Sequence, residues 1–196
     1  TTLYNHMKGN TPCRSDQGRQ LSYNEDLAIK ALTYMQSLMQ RGLVPATTDY
    51  AGSQTLMFTG KSGFYLQGEW EITTAQSVKG LNFGMTVIPQ LFDQPACQGD
   101  SHCFVLPRKE RSRESRKRAM GFIKSMLDQS LTWAKGGHIP AYLPASQSPE
   151  YRQLSPQNNY EGAVEHVTYD PPAWYSGSGS TLENIIGAQI GLVQQG

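Results

Sequence analysis

Apolar residues fall at three-and-four spacing in three stretches of the chain, and each stretch predicts a helix with one covered face. The first runs from Asn24, with Ala28, Ala31, Leu32, Met35, Leu38 and Met39 on one side and Gly42 beyond its end. Asn24 suits the N-cap position, and Glu25 and Asp26 suit the positive end of the helix dipole. The second covers residues 112–127, with Met120, Ile123, Met126 and Leu127 aligned. The third follows Ser180 and aligns Leu182, Ile185, Ile186, Ile190 and Val193.

Shorter helices are predicted from Ser53 to Phe58, stopped by Gly60, and from Ser148 to about Leu154, with Pro149 at the first helical position. Asn158 or Asn159 caps a further turn reaching His166. Three apolar runs bounded by Gly or Pro predict strands: Phe64-Tyr65-Leu66, Phe83 to Ile88 before Pro89, and His102 to Leu106 before Pro107. Residues 1–21 are polar and punctuated by Gly9, Pro12 and Gly18, which predicts loop with at most a strand fragment. Pro140 and Pro144 mark a loop after Trp133, and Pro171-Pro172 breaks the chain. Strands separated by helices argue for an α/β layer arrangement.

Composition adds limits. The 196 residues are 38% hydrophobic and 17% charged, too apolar for disorder and enough for one domain or two small lobes. A net charge of +1 gives no global field toward nucleic acid or membrane. The basic run from Arg108 to Arg118 reads as a solvated helix face; it lacks the interleaved aromatics of a single-strand binder. No run approaches the ~20 apolar residues of a membrane span. The chain opens Thr1-Thr2-Leu3-Tyr4 without a signal-peptide pattern, as a processed protein, a cytosolic one or a piece of a longer chain would. Cys13, Cys97 and Cys103 cannot all pair within the chain; Cys97 and Cys103 are close enough in sequence to bridge a loop. No cluster has metal-ligand spacing, so neither a metal nor another cofactor is expected. Phosphate loops and nucleophile motifs are absent, and no nucleophile stands at a fixed spacing from His102, so no enzymatic activity is expected.

The residues suited to recognition are aromatic and acidic. Trp70 follows Gly68, where the backbone can bend, and its indole offers either a core filler or a flat plate for the C–H face of a pyranose. Glu69 and Glu71 flank it and can accept charge-strengthened hydrogen bonds from hydroxyls. Gly99-Asp100-Ser101-His102 combines close backbone approach with an acceptor, a hydroxyl and an imidazole. The carboxylates Glu69, Glu71 and Asp100 also suit a glycan-processing enzyme, a glycoside hydrolase, although spacing alone does not set two of them across a glycosidic bond.

The order of several segments resembles the family 1 extracellular solute-binding proteins of bacterial sugar ABC importers, the maltose-binding-protein-like group. The segments are Thr48-Asp49-Tyr50, Phe58-Thr59-Gly60-Lys61, Tyr65 to Trp70, Asn82 to Pro89, and Gly99 to His102. The resemblance runs from about Asn24 to Gly196 and corresponds to the C-terminal half of a family member, which implies a piece of a longer protein. It implies a type II periplasmic-binding-protein-like α/β fold, mostly one lobe plus a segment of the other. Residues 1–98 and 147–196 would form the C-terminal lobe. Residues 99–146 would hold the hinge crossing and a segment of the N-terminal lobe.

The function implied is capture of a sugar or oligosaccharide between two lobes and delivery to the permease subunits of an ABC transporter. The implied location is periplasmic or extracellular, associated with the cell surface, with membrane contact only through the permease or a lipid anchor outside this chain. The implied ligand contacts are the stacking Trp70 with Glu69, Tyr50, Gly99, Asp100, Ser101 and His102. His138 joins them from the loop Trp133 to Ala141, where Trp133 itself reads as packing. The family's aromatic at the first turn of the last helix falls here on Gly179, so Trp174, Tyr175 and Ser178 are the substitutes from the preceding loop.

Overall fold

The computed structural model describes residues 1–8, 14–15, 20–21, 23–170 and 173–195. Gly9, Pro12, Cys13, Gly18 and the Pro171-Pro172 break lie outside the described residues. The chain gathers into two compact units. Unit 1 comprises Thr1–Gln54, Ile88–Ser101 and Ala163–Gly196; unit 2 comprises Thr55–Val87 and His102–Gly162. The segment expected to reach the second lobe, 99–146, shares 102–146 with unit 2, which also holds 55–87 and 147–162.

Unit 1 is built around a helix that the sequence pattern reads as loop. Helix α1 (Thr2–Lys8) carries Tyr4, Asn5 and His6, all buried. Its buried polar groups explain both the misreading and the fold: they look like loop residues, yet they tie distant segments to α1. The His6 ring takes the carbonyl of Ala96 on Nε2 at 2.7 Å and the amide of Leu91 on Nδ1 at 3.4 Å, which assigns the proton to Nε2. The Thr2 hydroxyl accepts from the Gln98 amide at 3.1 Å, and the Tyr4 hydroxyl accepts from the Asn24 amide at 2.7 Å.

Strands β1 (Arg14–Ser15) and β2 (Gln20–Leu21) pair antiparallel. Helix α2 (Glu25–Gln40) follows as the pattern predicts: the Asn24 side chain accepts from the Leu27 amide, and Gly42 leaves the helix at φ 68°. Its expected face is covered in part, with Ala31 buried. Helix α3 (Tyr50–Phe58) starts three residues before Ser53, because the Asp49 carboxylate caps it through the Gly52 amide at 2.7 Å.

The three predicted strands at 64–66, 83–88 and 102–106 do not form. A strand requires a neighbour for its ladder, and these segments have none; Phe64 is 91% exposed. Along 81–85 covered and exposed residues alternate, so the period-two signal is present without the pairing. The ladder that does form is short and joins distant segments: β3 (Cys97–Gly99) pairs in parallel with β4 (Val167–Tyr169), both in unit 1. Among the described residues the fold is therefore helix-rich with two two-stranded sheets, compatible with a part of the α/β fold expected.

Helix α9 (Thr181–Gln195) packs on α2, and Gln36 Nε2 donates to the Val193 carbonyl at 3.2 Å. Its expected apolar face is covered only in part: Leu182 and Ile190 are half-buried, while Ile185, Ile186 and Val193 are exposed. Cys97 and Cys103 are not joined by a disulfide; the Cys97 thiol lies 3.6 Å from the Ala163 carbonyl.

Unit 2 packs short helices around Ile72, Ala75, Ala134, Tyr151 and Tyr160. Its elements are a 3₁₀ turn at Glu69–Glu71, α4 (Ile72–Ser77), α5 (Arg113–Asp128), α6 (Ser130–Lys135), α7 (Leu143–Ser146), α8 (Pro149–Arg152) and a 3₁₀ stretch at Gln157–His166. Ser112 caps α5 and Ser148 caps α8, each accepting a backbone N–H at 3.1 Å. Of the face predicted on α5, Ile123 and Leu127 are half-buried while Met120 and Met126 are exposed. The basic run is exposed except for half-buried Arg111 and carries one ion pair with an acid of its own helix, Arg118 to Glu114 at 3.5 Å.

Candidate functional site

In unit 2 the 3₁₀ turn, the loop after α6 and the segment at 102 bring three of the predicted residues, Glu69, His138 and His102, together, with Trp70 following Glu69 in the turn. Gly68 precedes the turn in an extended conformation, and Trp70 folds its indole back over that glycine. A Cβ at 68 would collide with the ring, so the missing side chain is what lets the indole lie there. Trp70 remains 50% exposed. The next residue, Glu71, turns the other way and is buried.

The Glu69 carboxylate meets His138 Nδ1 at 3.0 Å. The pair is a hydrogen bond with neutral imidazole and an ion pair with imidazolium. Backbone packing holds the two residues together. Gly137 turns with φ 112°, beyond the comfort of an L side chain, and its α-carbon faces the Glu69 carbonyl. The Tyr160 hydroxyl donates to the Gly137 carbonyl from within the core. Burial drives the Tyr160 phenol above its ordinary range and pushes the Tyr151 phenol up to about 12.

Around His138 stands an aromatic cluster. The Trp133 indole stacks on the imidazole with centroids 4.7 Å apart and planes 16° apart. His102 meets both rings edge-on, 5.7 Å from Trp133 and 5.4 Å from His138. Sequence reasoning gave Trp133 to packing, but it is 53% exposed, while its neighbour Ala134 carries the packing with no exposure at all. The usable signal was the spacing of Trp133 and His138 across Gly136-Gly137, a turn that brings the two rings over each other.

In unit 1 the loop before α9 is held by two carboxylates. Asp100 accepts from its neighbour Ser101 at 2.8 Å and from the Ser178 amide at 3.2 Å. Asp170 accepts from the Gln98 side chain and the Gly177 amide, both at 3.2 Å. Ser180 caps α9 through the Glu183 amide at 3.1 Å. This anchored loop presents Trp174 at 92% exposure, edge-on to Tyr175 at 5.3 Å. The Ser178 amide and the Asp100 carboxylate thus bind each other. Gly99 lies inside β3, where a Cβ would strike Val167, so its glycine serves close packing. Tyr50 stands at the first turn of α3 with half its surface exposed.

Among the described residues no group of three or more His, Cys, Asp or Glu side chains has the arrangement of a metal site, and no helix is long and apolar enough to cross a membrane. A depression of about 290 Å³ in unit 2, lined by Asp128, Leu131, Tyr142 and Glu150, contains none of the predicted residues.

A family model described as bacterial extracellular solute-binding protein matches residues 8–155. The matched range begins sixteen residues before Asn24 and stops short of the loop at Trp174. Comparison with curated proteins and with solved structures returns no match.

Proposed function

The chain belongs to the bacterial extracellular solute-binding protein family, and we propose that the solute it takes is a sugar or oligosaccharide, handed on to the permease of an ABC importer. Membership gives a substrate-binding role in transport and an extracellular or periplasmic place. The sugar is our own reading. It is carried by one observation: the half-exposed Trp70 indole, laid on Gly68, directly follows Glu69, whose carboxylate His138 holds in place. An indole face takes the C–H side of a pyranose, and an ionised carboxylate beside it takes hydroxyl donors. Few polar groups fixed beside an apolar plate are the usual composition of a small-molecule site.

The other contacts proposed are His102 and His138 in unit 2 and, in unit 1, Tyr50, Gly99, Asp100 and Ser101 with Trp174, Tyr175 and Ser178 of the loop before α9. Closure of two lobes over the sugar, biased by contacts to both, is the proposed mode of capture. The hydrolase reading is weaker, because Glu71 is buried and the Asp100 carboxylate accepts two backbone amides. Neither is placed as an acid facing an exposed glycosidic oxygen.

Calorimetric titration of the full chain with glucose, maltose and maltotriose tests the proposal. Saturable heat with at least one of them is expected. Trp70→Ala then weakens that binding by roughly 1–3 kcal/mol, the scale of one lost aromatic contact. An unchanged affinity in Trp70→Ala removes the indole from the site.

A further inference from the structure

We propose that Trp133 is a ligand-stacking residue: an indole plate that takes a flat ring on the face opposite His138. That the ring belongs to a sugar rests on the reading above; the plate itself rests on geometry.

Three neighbours define the plate. His138 lies parallel to Trp133 at 4.7 Å and covers one face. His102 could in principle cover the other. A ring seated over that far face would stand roughly 9 Å or more from His138 at ordinary ring spacings. His102 is instead 5.4 Å from His138 and 5.7 Å from Trp133, so it stands beside the stacked pair. Glu69 touches the pair only at the rim, through His138 Nδ1 at 3.0 Å. None of the three lies over the far face of the indole, and 53% of Trp133 remains exposed.

A tryptophan that only fills space turns its area inward. Here the neighbouring Ala134 is fully buried and Trp133 is turned out. Its plane is nevertheless fixed, by a stack on one face and an edge contact at the side. A ring that docks on such a plate meets a surface already ordered, so little side-chain entropy is lost on binding. His138 also orders its neighbours: it sets the plane of Trp133 and holds the carboxylate of Glu69.

The test uses the chain's three tryptophans. The variant Trp70→Phe with Trp174→Phe leaves Trp133 as the sole indole. Its emission is titrated with 1-methylnicotinamide, a planar cation that quenches indoles by stacking. Strong static quenching is expected. If that double variant does not fold, the same quantity is read as the quenching lost in Trp133→Phe against the unaltered chain. In parallel, glucose, maltose and maltotriose are titrated into the full chain and into Trp133→Ala and Trp133→Tyr. A 5- to 50-fold loss of affinity is expected in Trp133→Ala, with most of it restored in Trp133→Tyr.

An indole that the probe cannot quench overturns the plate. Equal sugar affinity in Trp133→Ala and the unaltered chain overturns it as a ligand contact and leaves the sugar reading standing. Strong quenching with no sugar bound by the unaltered chain supports the plate and overturns the sugar reading.

Discussion

Gly137→Ala tests the claim that backbone packing, more than side-chain choice, holds Glu69 against His138. The added Cβ would fall on the Glu69 carbonyl oxygen, with the Glu69 carbonyl carbon at 2.8 Å and Ile72 Cγ2 at 3.2 Å. These obstacles are backbone and a fully buried isoleucine, so neither can swing away cheaply. Overpacking of this kind costs about 1–3 kcal/mol. The φ of 112° adds a further ~1–3 kcal/mol for a side chain in that region. The alanine recovers about 0.4–1 kcal/mol by restricting the unfolded chain. The net expectation is a loss of roughly 1–5 kcal/mol.

Urea unfolding followed by far-UV circular dichroism measures it, read as a lower midpoint at unchanged slope. A chain of two units can unfold in two steps, in which case the unit 2 transition is the one that moves. Gly84→Ala is the control, because an added Cβ there meets nothing within 4 Å, and it stays within about 0.5 kcal/mol. A Gly137→Ala loss as small as that of the control would refute the reasoning, since the turn would then tolerate a side chain and the Glu69–His138 pair would need another cause.

Other expectations follow from the same packing. Tyr151 is fully buried and its hydroxyl finds no hydrogen-bond partner among the described residues, so Tyr151→Phe is neutral or stabilises by up to ~1 kcal/mol in the same unfolding assay; a loss above that size would show a partner for the hydroxyl. The raised phenols of Tyr151, to about 12, and Tyr160 make stability depend on alkaline pH. A folded-state value above the unfolded one keeps its contribution whole below about pH 10 and loses it as the pH climbs through the folded values. Thermal unfolding should therefore show no loss from these groups up to about pH 9 and a steady fall above 10, with a smaller fall in Tyr151→Phe. Asp100→Ala removes the acceptor of the Ser178 amide, so hydrogen exchange at residues 176–180 is expected to quicken about tenfold while exchange in α2 stays unchanged.

Local chemistry made the helices legible. Asn24, Ser148 with Pro149, and the apolar spacing after Ser180 state their helices within a few residues, and the structure places α2, α8 and α9 there. Helix α1 was hidden because its buried members Asn5 and His6 are polar, and the groups that tie the His6 ring and the Asn5 carbonyl down, Ala96, Leu91 and Gln94, lie some ninety positions away. The strands failed for a related reason. Alternation at 81–85 is a local property, but a ladder depends on a partner, and the partner of Cys97–Gly99 lies seventy residues downstream. At the site, Glu69, Trp70, His102 and His138 could be named from residue type and from resemblance. For the stacking of Trp133 on His138 the only local sign was their spacing across Gly136-Gly137; the geometry itself depends on the positive φ of Gly137 and on the carbonyl beneath it.

The central claim is that a pyranose ring lies flat on the Trp70 indole beside the Glu69 carboxylate. Saturation-transfer difference NMR of the full chain with glucose, maltose and maltotriose reads that contact directly. The account predicts transfer concentrated on the C–H protons of one ring face of a bound sugar, and its loss in Trp70→Ala. No transfer to any of the three sugars, or the same transfer in Trp70→Ala, contradicts it.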